Sequence, residues 1–175
     1  MRKEHISTFK ERTSVNNLNR KMKDFLSETL VSVLATLDQN GSPRTRAIWH
    51  DWTEKEGLLL FTSSTSLKWL NILNDNRVSL CIDDPTPPYR SLVLDGRALK
   101  IPNSSSFLFP AVLRMATRYY GPVEGAKFAE NYRSQNKTLN PNIEKGPVGE
   151  LSQYAEEDDV VLFTIEATRI TSQGL

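Results

Sequence analysis

Val31, Val33 and Ala35 alternate with Ser32, Leu34 and Thr36. This period of two, typical of a β-strand, is the feature that most constrains the fold. Residues 38–41 (Asp-Gln-Asn-Gly) follow at once, and Asn-Gly readily supplies the positive φ of a tight hairpin turn. The next strand runs from about Arg44 to Trp52. A second turn at residues 53–57 and an apolar run at residues 58–62 complete the pattern. Three strands joined by short turns predict an antiparallel meander.

Further strands are predicted at residues 77–83, 89–101 and 160–165. Gly96 lies inside the longest of these and predicts a bulge or bend that lets the sheet curl. Alternation of strands with helices, the pattern of a doubly wound parallel sheet, is absent. The sequence therefore predicts a mainly β fold with flanking helices (α+β), namely a split antiparallel β-barrel.

Helical spacing of apolar residues predicts a helix over residues 16–29 and a helical insert over residues 103–137. Within the insert, Pro110 and Pro122 both suit the first turn of a helix. Residues 1–15 are polar and weakly patterned, and we expect them to form a mobile arm. Residues 16–175 are expected to form one split-barrel domain.

The composition excludes several functions. The chain has 22 basic and 21 acidic residues, which predicts neither a nucleic-acid partner nor an anionic membrane surface. The two histidines, His5 and His50, are far apart in sequence, so no metal site is predicted, and a hydrolytic triad would have to use His50. Cys81 cannot form an internal disulfide and is interpreted as a packing residue. We find no signal peptide and no membrane-spanning run, and expect a cytoplasmic protein.

The motif Ser66-Leu67-Lys68 directly follows the apolar run 58–62 and carries the strongest functional signal. Thr65 or Ser66 would cap a short helix, which places Lys68 in its first turn. A cation there opposes the helix dipole, and a bound anion would remove the conflict. Arg44 and Arg46 lie about twenty residues upstream, on one face of their strand. Together these residues predict a phosphate site.

The same residues belong to a longer series of motifs. Residues 41–49 (Gly-Ser-Pro-Arg-Thr-Arg-Ala-Ile-Trp) are followed by residues 60–62 (Leu-Phe-Thr), then by residues 66–68, then by residues 74–80 (Asn-Asp-Asn-Arg-Val-Ser-Leu). Their order and spacing resemble those of the pyridoxamine 5′-phosphate oxidase-like FMN-binding split-barrel family, with its G-x-P-x-x-R, F-x-T, S-x-K and N-P-R-V-S-L motifs. The resemblance covers residues 25–101 best.

The resemblance implies a flavin (FMN)-dependent oxidoreductase that acts on a small molecule, with the cofactor bound at a homodimer interface. Lys68 and Ser66, with either Arg44 or Arg46, would hold the FMN phosphate. The backbone of residues 47–49 would line the isoalloxazine ring, and Thr62 would contact the ring or the ribityl chain. Ser91 would reach the cofactor from the second subunit. The full set implied is Arg44, Arg46, Ala47, Ile48, Trp49, Phe61, Thr62, Ser66, Leu67, Lys68 and Ser91.

Departures from the family pattern argue against vitamin B6 oxidation. The oxidases end in an Arg-x-His pair, whereas residues 167–171 here are Ala-Thr-Arg-Ile-Thr. Residues 118–121 of the helical insert resemble the subgroup that contains deazaflavin-dependent reductases. Two alternatives therefore stay open: a deazaflavin-dependent reductase of the same fold, and a non-enzymatic flavin- or haem-binding protein. The catalytic residues are not identified, and His50 and Tyr89 are weak candidates.

Overall fold

The computed structural model describes residues 18–102, 105–136 and 159–175, so the arm predicted for residues 1–15 lies outside the described residues. The strands are β1 (Ser32–Leu37), β2 (Pro43–Ile48), β3 (Asp51–Thr53), β4 (Gly57–Ser63), β5 (Arg77–Asp84), β6 (Arg90–Lys100) and β7 (Val160–Gln173). The helices are α1 (Arg20–Leu26), α2 (Leu67–Asn74), α3 (Ser105–Tyr120) and α4 (Pro122–Gln135). None of the helices in these described ranges is both long and apolar enough to span a bilayer.

The strands form one seven-stranded sheet in the order β2-β1-β5-β6-β7-β4-β3. All the pairings are antiparallel. β2 and β3 lie at opposite edges of this sheet, yet only Trp49 and His50 separate them in the chain. So short a link spans roughly 10 Å at most, so the sheet must curl until its edges nearly meet. The prediction of a split antiparallel barrel is confirmed.

The pairing of β6 with β7 contains a bulge opposite Gly96. The register shifts between Asp95 and Gly96, at the predicted position, but the extra residue is Thr168 of β7, because Asp95 pairs with Arg169 and Gly96 with Ala167. A Cβ atom at Gly96 would clash with the backbone carbonyl of Glu166 on the neighbouring strand. Glycine is therefore required here by the close approach of two backbones.

Two hydrophobic cores lie on the two faces of the sheet. Leu58 and Leu60 of β4 point into the barrel, where Trp69 and Ile72 of α2 close one end. Leu59, the residue between them, points outward and packs beneath α3 and α4. Because successive side chains of a strand point to opposite faces, β4 contributes to both cores. We call the place where the edge strands β2 and β3 approach each other the seam. At β4, next to the seam, α2 lies on the inner side of the sheet and α3 and α4 lie on the outer side.

Several predicted boundaries are wrong. The strand predicted from Arg44 to Trp52 is split into β2 and β3, because Trp49 and His50 cross from one sheet edge to the other. Pro122 does begin its helix, but Pro110 lies inside α3 rather than in its first turn. A proline there removes one helical hydrogen bond, at a cost of about 3 kcal/mol. Complete burial of the neighbouring Ala111 and Val112 stabilises the helix against that loss.

Candidate functional site

The start of α2 is fixed by a cap and an anchor. Ser66 is the N-cap, one of the two caps predicted (Thr65 or Ser66). Its Oγ accepts a hydrogen bond from the Trp69 backbone N–H at 3.3 Å. Trp69 is 2% exposed and packs against Phe163 inside the barrel. Leu67, the first helical residue, is 64% exposed and points away from this core. Lys68 is held between the cap and the anchor, in the first turn as the sequence predicts.

The side chains of three predicted site residues, Thr62, Ser66 and Lys68, meet at the start of α2. Lys68 Nζ donates to Thr62 Oγ1 at 3.1 Å, and Thr62 Oγ1 lies 2.9 Å from Ser66 Oγ. Thr62 is 5% exposed and stands at the inner face of β4, directly before the loop to α2. The structure therefore brings Thr62, Ser66 and Lys68 into one hydrogen-bonded cluster, which we call the α2 cluster.

The structure separates the two arginines that the sequence leaves as alternatives. Arg44 is paired with Asp38 of the preceding turn, with Nε and Nη2 each 2.9 Å from Oδ2. Arg46 instead lies close enough to Lys68 for its charge to act on the ammonium. Burial first, and the charge of Arg46 second, lower the pKa of Lys68. Arg46 is exposed, and its Nη1 donates to the Thr45 carbonyl at 2.9 Å, so no carboxylate occupies it among its described contacts. Arg44, in contrast, is occupied by a local carboxylate.

An open depression of about 210 Å³ is lined by five residues of apolar type, Val31, Ala47, Ile48, Trp49 and Phe61. Phe61 precedes Thr62 on β4 and Ala47 follows Arg46 on β2, so the depression and the α2 cluster use neighbouring residues of the same two strands. The side chains of such neighbours point to opposite faces, so Phe61 faces the outer core while Thr62 faces inward. Four of the predicted site residues thus line one surface, and three others form the neighbouring polar cluster with Arg46 beside it.

Aromatic contacts fix the wall of the depression. The Trp49 ring stacks on Tyr119 of α3, with centroids 5.0 Å apart and planes 5° from parallel. Tyr120 and Phe128 meet the Trp49 ring edge-on at 5.1 and 5.5 Å. Such packed aromatic pairs restrict a side chain to one orientation. The helical insert therefore holds Trp49 in place.

Charged contacts join the same helix to β3. Asp51 is 1% exposed, and its two carboxylate oxygens accept from Arg114 Nε at 2.9 Å and Arg118 Nη2 at 3.2 Å. Arg114 also pairs with Glu56. Hydrogen-bonded partners of opposite charge offset the cost of burying a carboxylate. The network fixes α3, and with it Tyr119, against the strand that follows Trp49.

His50 is held as a structural residue. It is fully buried, with Nε2 3.0 Å from the Leu26 carbonyl and Nδ1 2.7 Å from Ser32 Oγ. A carbonyl can only accept, so Nε2 carries the proton and Nδ1 accepts from the Ser32 hydroxyl. Burial is the main cause that lowers the pKa of His50 to about 4. Both nitrogens are occupied, so His50 is not available as a catalytic acid or base.

The remaining candidates lie away from the seam. Tyr89 is 59% exposed and has a positive φ of 54° in the loop before β6. Ser91 pairs with Gln173 at the end of β7, whereas Thr62 pairs with Val161 near its beginning. Opposite ends of a long strand cannot meet within one chain. A single chain therefore does not bring Ser91 to the α2 cluster.

Sequence reasoning missed Asn71 and Thr36. Asn71 Nδ2 donates to Thr36 Oγ1 at 3.0 Å, which links α2 to β1. Asn71 follows Lys68 by three positions, so helical spacing alone places both on one face of α2. The spacing could not show that β1 lies beside that face.

The donor set suits an anion rather than a metal. Within the described ranges, no three His, Cys, Asp or Glu residues are grouped as metal ligands. The α2 cluster offers two hydroxyls and an ammonium, with a guanidinium close by. These groups bind phosphate oxygens through charge-assisted hydrogen bonds.

Comparisons with solved structures agree with this fold. The chain resembles an F420 reductase (21% identity, TM-score 0.57), covering 88% of this chain and 98% of that one. It also resembles the heme storage protein HutZ from Vibrio cholerae (18% identity, TM-score 0.58), covering 90% of this chain and 96% of the other. A third likeness is to a pyridoxamine 5′-phosphate oxidase-related, FMN-binding protein from Nostoc punctiforme (16% identity, TM-score 0.51), with 97% and 82% covered. No curated protein matches the sequence significantly.

The family comparison covers nearly the whole described chain. The profile described as pyridoxamine 5′-phosphate oxidase matches residues 18–172, from just before α1 to the end of β7. The matched region contains the α2 cluster, the depression and the helical insert. The chain therefore belongs to the pyridoxamine 5′-phosphate oxidase family.

Proposed function

We propose that this protein binds FMN at the barrel seam and is a flavin-dependent oxidoreductase acting on a small molecule. The observation that carries the proposal is the hydrogen-bonded cluster of Lys68 with the hydroxyls of Thr62 and Ser66 at the start of α2. Lys68 is half-buried and also feels the charge of the exposed Arg46, and a bound anion would stabilise both cations. A phosphate would satisfy both cations at once.

The fit can be stated in energies. A hydrogen bond to a charged group contributes about 1.5–3 kcal/mol, so three or four of them would anchor a phosphate firmly. Burial lowers the pKa of Lys68, and a bound anion would oppose that effect by favouring the charged ammonium. The start of α2 adds free backbone N–H groups to the same site.

The apolar depression suits the ring system of the same cofactor. A flavin joins a flat aromatic ring to a phosphate through a short polyol chain, and neighbouring residues of β2 and β4 supply an apolar surface and a cationic cluster. Trp49 and Phe61 would exclude water from the ring, and the backbone of Ala47 and Ile48 would border it. Hydride transfer is the chemistry that FMN supplies when bound, while the chain's residues bind and orient it.

A second subunit is part of the proposal. Ala47, Val33, Cys81 and Val93 lie side by side on the outer face of four neighbouring strands. Val33 is 42% exposed, and Val31, two residues earlier and just before β1, is 50% exposed. Apolar side chains in a continuous row on a sheet face favour burial against a partner. We propose a homodimer formed through this row, which we call the outer apolar row, with Ser91 contributed to the site by the partner.

Two related functions are outcomes of the same test. A deazaflavin also carries phosphate, and one structural neighbour is an F420 reductase, so the α2 cluster would serve that cofactor equally. Haem binding without catalysis has less support, because His50 has both nitrogens occupied and Cys81 is only a half-buried strand residue.

The deciding experiment is an absorbance spectrum of the purified protein, followed by mass analysis of the ligand released on denaturation. A yellow protein that releases FMN supports the proposal. Release of a deazaflavin would support the alternative, a deazaflavin-dependent reductase of the same fold. Haem, or no binding of added FMN, would refute the proposed function.

Lys68→Ala tests the phosphate contact directly. We expect the variant to lose about 1.5–3 kcal/mol of FMN affinity, or roughly 10- to 150-fold in Kd, because a charge-assisted hydrogen bond is removed. Titration of FMN and of riboflavin, which lacks the phosphate, separates the two halves of the ligand. Riboflavin affinity should stay unchanged.

The matched control is Lys127→Ala, since Lys127 is exposed on α4 and pairs with Glu124 one turn earlier on the same helix. This change should leave both affinities within error. Equal FMN affinity for Lys68→Ala and the wild type would show that the α2 cluster does not hold the phosphate.

A further inference from the structure

We propose that Asn71 is a positioning residue that, through Thr36, fixes the distance between the strand carrying Arg46 and the helix start carrying Lys68. The inference rests on the proposed phosphate site and names what keeps that site assembled. Its evidence is a hydrogen-bonded connection that crosses from α2 over β1 to β2.

The connection has two steps. Asn71 Nδ2 donates to Thr36 Oγ1 at 3.0 Å, and Thr36 Oγ1 in turn donates to the Arg44 carbonyl at 3.4 Å. Thr36 is 3% exposed, so its hydroxyl is shielded from competing water. A buried hydroxyl that both accepts and donates is fully used, and its loss leaves its partners without hydrogen bonds.

β2 needs such support because it is an edge strand. It pairs with β1 alone among the described strands, and residues 43–47 are exposed along its length. Arg44 and Arg46 are two residues apart and so share one face of β2. The connection from Asn71 therefore ends within two residues of the guanidinium that the phosphate site needs.

The two cations of the site also repel each other before the anion arrives. Without a restraint, the edge strand would relax so that Arg46 moves away from Lys68. Phosphate would then have to restore the arrangement on binding, which weakens affinity. Asn71 and Thr36 hold α2 and β2 in register in advance, while Lys68 and Thr62 hold α2 to β4 on the other side of the seam.

The test compares four variants of the full-length protein after removal of bound cofactor. Thr36→Val removes the hydroxyl with little change of shape, and Thr36→Ser retains it. Asn71→Ala removes the donor, and Asn74→Ala is the matched control, an exposed asparagine at the end of the same helix. FMN and riboflavin are titrated separately into each variant, and thermal melting is recorded.

We expect Thr36→Val and Asn71→Ala to weaken FMN binding about 3- to 10-fold, the range of one hydrogen bond, without changing riboflavin binding. Thr36→Ser and Asn74→Ala should retain the wild-type preference for FMN over riboflavin. A merely structural role would lower the melting temperature or both affinities together. The preference for FMN would not change in that case, and this result would overturn the inference.

The failure of this inference is distinguishable from failure of the proposed function. If the wild type shows no preference for FMN over riboflavin, the phosphate site itself is wrong. If the wild type has that preference and Lys68→Ala loses it, but both Asn71→Ala and Thr36→Val keep it, only the positioning role is refuted. Asn71 is half-buried at the barrel end, so its variant remains informative if the Thr36 variant fails to fold.

Discussion

At the scale of single residues, two basic side chains are held in opposite ways. His50 is fully buried, with an acceptor on one nitrogen and a hydroxyl on the other, which suits the neutral ring. Lys68 is half-buried, has a hydroxyl partner and feels the charge of Arg46, an arrangement that an anion would complete. His50 is therefore a structural residue, whereas Lys68 is the residue that we propose for phosphate binding. Their environments, not their residue types, distinguish the two.

The neutral state of His50 predicts a pH dependence of folding. Its pKa is lowered from 6.5 to about 4, first by burial, with Arg118 also lowering it and with the Leu26 hydrogen bond and Asp51 opposing. In this window the unfolded chain binds the proton and the folded chain does not. The free energy of unfolding therefore falls as the pH drops from 6.5 to about 4. The loss at the lower end is about 3 kcal/mol.

Urea unfolding at a series of pH values measures this loss, with His50→Gln as the non-titrating comparison. Glutamine keeps a hydrogen-bond donor and an acceptor in the same place but has no proton to gain. Asp75 and Asp84 have pKa values lowered to about 2, so their contributions fall away at more acidic pH. Identical slopes for the wild type and the variant between pH 6.5 and 4.5 would assign the dependence to another group.

At the scale of elements, the helical insert is packed by backbone contact as well as by side chains. α3 and α4 lie against each other where Gly125 meets Ala116 and Thr117. Ala116 and Ala129 are fully buried in the same core, so small residues let the two helices approach closely. Because α3 also carries Tyr119, the crossing of the helices influences the position of Trp49.

Gly125→Ala should destabilise the protein, although glycine-to-alanine changes inside helices usually stabilise by about 1 kcal/mol. A Cβ at this position would lie 2.5 Å from the Ala116 carbonyl carbon and closer still to other backbone atoms. Overpacking of this kind costs typically about 1–3 kcal/mol. Thermal or chemical unfolding gives the sign. Ser134→Ala on the exposed end of α4 is the control and should change stability little.

Local patterns predict these elements well and their pairing less well. The turn at residues 38–41 and the cap at Ser66 are each determined by residues close in sequence. The glycine at position 96 marks the bulge, but the extra residue lies on the partner strand β7, which Gly96 alone does not predict. The choice between Arg44 and Arg46 does not follow from strand alternation, because alternation places both residues on one face. It depends on Asp38 pairing with Arg44 across the turn. The break at Trp49 and His50 likewise follows from closure of the whole sheet.

At the scale of the whole molecule, the predicted site residues lie in parts of the fold that one chain does not bring together. The α2 cluster and the depression use neighbouring residues of β2 and β4, but Ser91 stands at the far end of β7's pairing with β6. Alternation along β1 and the residue before it leaves Val31 and Val33 outside, while Ser32 and Leu34 are buried. The sequence alone did not show which set faces outward. That choice is what gives the sheet its outer apolar row.

Val33→Glu tests whether the outer apolar row joins two chains. Val33 is 42% exposed at the centre of the row, between Ala47 on β2 and Cys81 on β5, so a carboxylate is tolerated in a monomer. In a dimer the two charges would be buried without partners, which disfavours association strongly. We expect light scattering to show a dimer for the wild type and a monomer for the variant. Leu73→Glu on α2, where Leu73 is 52% exposed away from the row, should remain a dimer.

Because the proposed site includes Ser91 of the partner, the monomeric variant should also bind FMN more weakly, although every residue of its own α2 cluster is intact. A wild-type protein that is monomeric and binds FMN fully would show instead that one chain holds the complete site.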